Sequence, residues 1–178
     1  MAAGRVMVGR RPGSTFAIAS GTAAGTVPGP AAGYGSARAW PVGGPGGLVA
    51  RFEAPPKPWA AGHRGVDLAA APGGEIRAAA PGVVTFSGLV AGRPVVTVTH
   101  TASGAPPLRT TYLPVTGTVA VGTAVAAGEE IGRLAPDTGH CAGKDCLHWG
   151  LLRGERYLDP LALFGSGAAR LLPLGRHR

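Results

Sequence analysis

The chain reads as an all-β protein, a sandwich or barrel of short strands preceded by a disordered leader. Three observations carry that expectation. Short apolar runs rich in Val, Ile and Thr recur from residue 75 onward with Gly or Pro between them, which is the pattern of strands joined by turns. No alternation of strand and helix signals is present, so a parallel sheet with crossover helices is excluded. Aromatic residues make up only 6% of the chain, so small aliphatic side chains must fill the core, and these suit a thin β structure better than a thick helical bundle.

The elements follow in order. Residues 1–45 are Ala, Gly, Pro and Arg in low-complexity array, too poor in large apolar groups to fold. Arg5, Arg10 and Arg11, the weakly apolar "STFAIASGTAAG" and the small-residue "GSA" before Arg38 fit a signal peptide followed by an Ala/Gly/Pro linker. Large residues begin with Leu48, Val49, Phe52 and Trp59, and Pro55, Pro56 and Pro58 keep this stretch extended. "EIRAAAPGVVTFSG" (75–88) predicts two strands broken at Pro81-Gly82, and "RPVVTVTH" (93–100) a β-branched strand. "LRTTYLPV" (108–115) and "GTVAVGTAVAAGEEIGRL" (117–134) add further short strands, the latter interrupted at Gly122 and Gly128. "CLHWGLLRG" (146–154) is the last long strand, and "YLDPLALFG" closes the domain in a turn or short helix, with Asp159-Pro160 as a turn. The domain is expected over 46–165, with a basic tail over 166–178.

The net charge of +8 suggests a polyanion ligand until it is located. Six basic residues lie in the two ends, at Arg5, Arg10, Arg11, Arg170, Arg176 and Arg178, with no acid among them; residues 12–165 hold 11 basic and 9 acidic residues. A folded nucleic-acid face with interleaved aromatics is therefore excluded. Basic tails against anionic envelope polymers, or simply solvated tails, remain. No run of 18 apolar residues exists, so no transmembrane helix is expected.

Two stretches carry chemistry. In "GHRGVDLA" (62–69), His63 and Asp67 stand four apart around Gly65, whose freedom lets the backbone turn so that both side chains converge. Imidazole and carboxylate together suit a divalent zinc ion. In "CLHW" (146–149), strand periodicity puts Cys146 and His148 on one face and Leu147 and Trp149 on the other, toward the core. His148 then makes a third ligand, and three protein ligands with one open position describe a catalytic zinc. Trp149 and Tyr112 read as core or site wall.

These residues bear a family resemblance. "GHRGVDLA" and "LHWG", with "AAAPGVVTFSG", "VVTVTH", "TTYLPV", "VAVGTAVAAGEEIGRL" and "YLDPLAL" in order between and after them, resemble the lysostaphin-type (LytM-like) zinc metallopeptidases. The resemblance covers about residues 46–165. It implies a two-sheet antiparallel sandwich of the duplicated hybrid type, one Zn2+ held by His63, Asp67 and His148, and hydrolysis of peptide bonds in bacterial peptidoglycan by a secreted or envelope-associated enzyme. Two auxiliary histidines of that family are replaced: Cys146 stands where its closing His-x-His motif begins, and Pro114 where a Tyr-x-His segment ends. His140 and His100 are the two candidates for the missing proton shuttle. The loss leaves a second expectation open, a non-catalytic domain of the same fold that binds wall peptides or regulates another hydrolase.

Cys141 and Cys146, the only cysteines, admit three states. An exported chain would pair them, stapling residues 139–147 against the strand that carries His148. Cys146 as thiolate would instead be a fourth zinc ligand closing the coordination shell. In a reducing compartment both would be free thiols.

Overall fold

The computed structural model describes residues 37–57, 59–137, 140–141 and 143–165; the expected signal peptide and the basic tail lie outside them. Eleven strands form two antiparallel sheets. The strands are β1 (Leu48–Ala50), β2 (Val66–Ala69), β3 (Glu75–Arg77), β4 (Gly82–Val90), β5 (Arg93–His100), β6 (Leu108–Leu113), β7 (Val115–Gly117), β8 (Ala124–Val125), β9 (Glu130–Leu134), β10 (Cys146–Arg153) and β11 (Arg156–Leu158). The larger sheet runs β1-β2-β10-β6-β5-β4-β8 with β11 on β10, and the smaller runs β3-β9-β7. Among the described residues no helix is long and apolar enough to cross a membrane.

The β-branched run of β5 is buried over Val95 to Val98 and pairs with β4 on one side and β6 on the other. Ala91 (φ 49°) and Gly92 (φ 79°) make the two-residue turn between β4 and β5. Two left-handed residues match the right-handed strand twist, as in a type I′ turn that favours Asn-Gly. Ala91 bears the steric cost of that conformation. Ala91→Asn is therefore expected to stabilise the domain by about 1 kcal/mol, read as a higher urea midpoint at unchanged slope.

Val66, Leu68, Ile76, Val84, Val96, Val98, Tyr112, Val115, Ile131, Leu134, Leu147 and Trp149 form the core. Trp149 meets Trp40 edge-on, with ring centroids 6.5 Å apart, and Phe164 at 5.9 Å. Trp40 and Val42 both pack on this core, and Ala39 N–H donates to Ala79 O at 3.0 Å. Residues before 46 thus also pack on the core, because the end of the Ala/Gly/Pro stretch includes a large aromatic, Trp40. At the other end Asp159 Oδ1 accepts from Leu161 N–H at 2.9 Å and caps a 3-10 helix, Pro160–Leu163.

The central fact for function is the β2–β10 register. Alternation sends Val66, Leu68, Leu147 and Trp149 into the core, all fully buried. It leaves Asp67 and His148 on the opposite face, where they are direct cross-strand partners.

Candidate metal centre

Four side chains converge on that face. Asp67 Oδ1 lies 3.0 Å from His63 Nε2, 2.8 Å from His148 Nδ1 and 3.0 Å from His140 Nε2. His63 Nε2 and His140 Nε2 each stand 3.1 Å from His148 Nδ1. All four ligand atoms fall within 4.8 Å of one another. Asp67 and His148 are set by strand pairing. His63 sits in an antiparallel bridge with Glu53, exchanging backbone hydrogen bonds of 2.9 Å with it. His140 comes from the loop between β9 and β10. The carboxyl of Asp67 is the most enclosed, its side chain 7% exposed against 28% for His140, so solvent reaches the cluster past His140.

The electrostatics suit a cation. Burial alone would raise the Asp67 pKa, but the hydrogen bond with His148 and the nearby His140 and His63 outweigh it, and the net displacement is downward. Burial pushes His148 down, against the opposing pull of Asp67. Near neutral pH the pair is therefore carboxylate and neutral imidazole, the forms that bind metal. His63 Nδ1–H donates to Arg51 O at 2.7 Å, since a carbonyl only accepts. That outer bond fixes the tautomer and leaves the Nε2 lone pair aimed at Asp67 Oδ1 and His148 Nδ1. His63 Nε2 and Asp67 Oδ1 therefore face one another lone pair to lone pair at 3.0 Å, which calls for a positive charge between them. Tetrahedral zinc with bonds of about 2.0–2.1 Å would set such atoms about 3.3 Å apart, so a small spread of the side chains admits the ion. The residues fit zinc.

Other expected residues are placed elsewhere or in another state. His100, one of the two shuttle candidates, is a correction. It pairs with Leu108 at one end of β6 while His148 pairs with Leu113 at the other, a separation of about 17 Å along the strand. Its ring is buried, Nδ1–H donating to Pro81 O at 2.8 Å and Nε2 facing Thr110 Oγ1 at 3.0 Å. Burial holds its pKa down, against that carbonyl. Cys146 as a fourth ligand, and free thiols, are also corrected: Cys146 is joined to Cys141 in a disulfide, so neither sulfur is a thiolate. Tyr112 is core rather than site wall. Its hydroxyl accepts from Ala79 N–H at 2.9 Å, and burial pushes its pKa up to about 12.

Gly65 serves differently from expectation. Its φ is not among the positive ones. What it supplies is space: a Cβ there would stand 2.5 Å from Trp149 O and 2.7 Å from His148 Nε2. The Arg51 carbonyl was not legible in the sequence, because a backbone acceptor has no residue signature. A cleft of about 720 Å³ is lined by Phe52, Pro55, Lys57, Arg64, Glu155 and Tyr157 among others, and by none of the four clustered side chains.

A sequence model of peptidase family M23 matches residues 61–160, a span that includes all four clustered side chains. Uncharacterized protein Rv2891 of Mycobacterium tuberculosis (strain ATCC 25618 / H37Rv) is 45% identical over 139 residues, 76% of this chain and 54% of that protein. The chain thus spans about half the length of the curated relatives it matches. A mutant catalytic domain of the prophage-encoded M23 protein EnpA from Enterococcus faecalis is similar in fold, with TM-score 0.52 and 23% identity over 74% of this chain and 98% of that one. The solution structure of lysostaphin is similar as well, with TM-score 0.52 and 21% identity over 73% of this chain and 57% of that one.

Proposed function

The chain belongs to peptidase family M23, and from that premise we propose that it is a zinc-dependent metalloendopeptidase hydrolysing peptide bonds of bacterial peptidoglycan. The observation that carries this reading is the convergence of His63, Asp67, His140 and His148 within 4.8 Å, with the His63 tautomer set so that its lone pair faces inward.

His63, Asp67 and His148 would hold one Zn2+. Bound there, zinc supplies Lewis acidity, polarising the scissile carbonyl and acidifying a water. The chain's residues do the rest. Asp67 lends negative charge to three imidazoles and keeps them oriented. The Arg51 carbonyl keeps His63 in its ligating tautomer. His140 is the remaining imidazole, placed to accept the proton of the attacking water at Nε2 and return it to the leaving amine. Positioned proton transfer of this kind is worth about 10²–10⁴-fold, and it answers for the histidines that Cys146 and Pro114 replace. A peptidoglycan peptide would reach the cluster past His140, its most exposed side chain. Such a substrate implies a secreted or envelope-associated protein, whose basic ends would face anionic envelope polymers.

A second reading, a non-catalytic domain that binds wall peptides or regulates another hydrolase, is favoured by Cys146 and Pro114 alone. One experiment separates the two. The zinc-loaded chain is incubated with purified peptidoglycan beside a His63→Ala control, and soluble peptides are measured. Release by the parent and none by His63→Ala is the expected result. A parent that binds zinc and releases nothing overturns the hydrolase reading in favour of the second.

A further inference from the structure

His100 stands apart from the metal cluster, and the proposed reaction does not use it. It lies in a chain of hydrogen bonds whose direction the donors decide. Its Nδ1 faces Pro81 O at 2.8 Å, and a carbonyl only accepts, so Nδ1 carries the hydrogen. Nε2 then holds a lone pair, and the Thr110 hydroxyl, 3.0 Å away, donates to it. Thr110 has no second hydrogen to give, so its Oγ1 accepts from the Tyr112 hydroxyl at 2.8 Å. Tyr112 Oη in turn accepts from Ala79 N–H at 2.9 Å. The relay thus runs from Ala79 N–H through Tyr112, Thr110 and His100 to Pro81 O, and every hydrogen in it has an acceptor.

Both ends of the relay belong to one segment. Residues 78–81 connect β3, in the smaller sheet, to β4, in the larger, and the relay fastens that connection to β5 and β6. Thr110 and Tyr112 are fully buried and His100 is 5% exposed, so water is not at hand to replace a lost partner. A proton added at Nε2 turns that atom from acceptor into donor. Thr110 must then accept from His100 and turn its own hydrogen toward Tyr112 Oη, which already receives the Ala79 N–H. The Tyr112 hydroxyl hydrogen is left without its acceptor inside the core, and a buried donor without a partner is costly. The charged and titratable groups around the ring offer no relief. Arg38, brought close because Ala39 N–H donates to Ala79 O, is a cation and opposes a second one. Arg153 of β10, beyond Leu108 in the same cross-strand row, is a cation as well. Tyr112, reached through Thr110, is kept neutral by burial. Pro81, Gly82, Ser103 and Leu108, the remaining neighbours, carry no charge. We propose that His100 is an acid-released latch between the two sheets: protonation at Nε2 breaks the relay and frees residues 79–81 from the larger sheet while β5 and β6 stay paired.

Burial holds His100 below its ordinary value of 6.5 in the closed state, so an opened latch binds a proton that the closed one refuses. The closed state is therefore fully favoured above about 6.5 and less so as pH falls below it. The test is amide hydrogen exchange of the full, metal-free chain at about pH 7 and about pH 5.5, followed residue by residue and corrected for the intrinsic pH dependence of exchange. We expect protection at Ala79 to fall about eightfold between the two, the ratio for one proton taken up near 6.5 only in the open state. Ala79 should also exchange at least about tenfold faster than Val96 and Val98, whose amides remain in the β5 ladder. The neutral replacements His100→Gln and His100→Asn should lose the pH-dependent change. The cluster histidines are present in all three proteins, so that difference belongs to position 100. Ala79 protection that ignores pH in the parent, or that keeps its full pH dependence in either replacement, overturns the latch. Exchange of Ala79 only together with Val96 and Val98 overturns the release of the segment on its own. The parent's measurements need no variant to fold. None of these outcomes depends on zinc binding or hydrolysis, so the proposed function is tested separately.

Discussion

On the proposed function, Asp67→Asn is expected to leave a folded domain that binds zinc far more weakly and releases no peptide from peptidoglycan. The substitution keeps the size and shape of the side chain, so Val66 and Leu68 on either side stay in the core. What goes is the charge at Oδ1, the one atom that lies within 3.0 Å of three imidazoles. A neutral amide oxygen is a far weaker zinc ligand than a carboxylate. Loss of an outer-shell partner alone costs up to about 100-fold in metal affinity, so loss of a central ligand's charge is expected to exceed that, with peptide release falling in step. The metal-free forms carry a second signature. The Asp67 pKa is lowered in the folded state, so its contribution to stability is full above the unfolded value of about 3.8 and disappears as pH falls through the folded one. The parent should be the more stable protein at pH 7, and the gap should close in acid. Zinc competition and urea unfolding at several pH values read both effects. A variant with the parent's affinity would remove Asp67 from the ligand set.

β3 to β6 and β8 to β10 fall in stretches read as strands bounded by turn residues, whereas β2, β7 and β11 were not read as strands and β1 only as extended chain. β5 matches its β-branched run from Arg93 to His100, and the break at Pro81-Gly82 separates β3 from β4 as read. The face assignment of β10 was equally legible, since period two leaves no choice once Leu147 and Trp149 are core. What periodicity does not carry is register. His100 and His140 were equal candidates in one dimension. Antiparallel pairing sends His100 to the far end of β6, while His140, in the segment before β10, reaches 3.0 Å from Asp67 Oδ1. The two cysteines were ambiguous for a related reason. Cys146 shares a strand face with His148, which suits a ligand and a disulfide alike. The choice depends on where Cys141 lies, and its Cα is 6.2 Å from that of Cys146, within bridging range.

Gly65→Ala tests how tightly fold and site are joined, and the expected result is that both fail together. A Cβ at position 65 would come within 2.5 Å of Trp149 O and within 2.7 and 2.8 Å of His148 Nε2 and Cε1. The carbonyl cannot retreat. It belongs to β10, where Trp149 is paired with Val66 on one side and Tyr112 on the other, and its indole is fully buried. Relief must come from a shift of the chain just before β2 or from rotation of the His148 ring. Moving the chain there strains the pairing that makes Asp67 and His148 neighbours. Rotating the ring pulls Nδ1 from its 2.8 Å approach to Asp67 Oδ1. Either way the cost in stability should be about 1–3 kcal/mol, the range for overpacking a rigid site, with zinc affinity down by at least about tenfold. Gly46→Ala is the control, because a Cβ there meets nothing within 4 Å and should change neither quantity. If Gly65→Ala matched that control in thermal midpoint and in zinc affinity, the contact between the His63–Asp67 segment and β10 would be loose. The site would then owe its geometry to the metal rather than to the sheet.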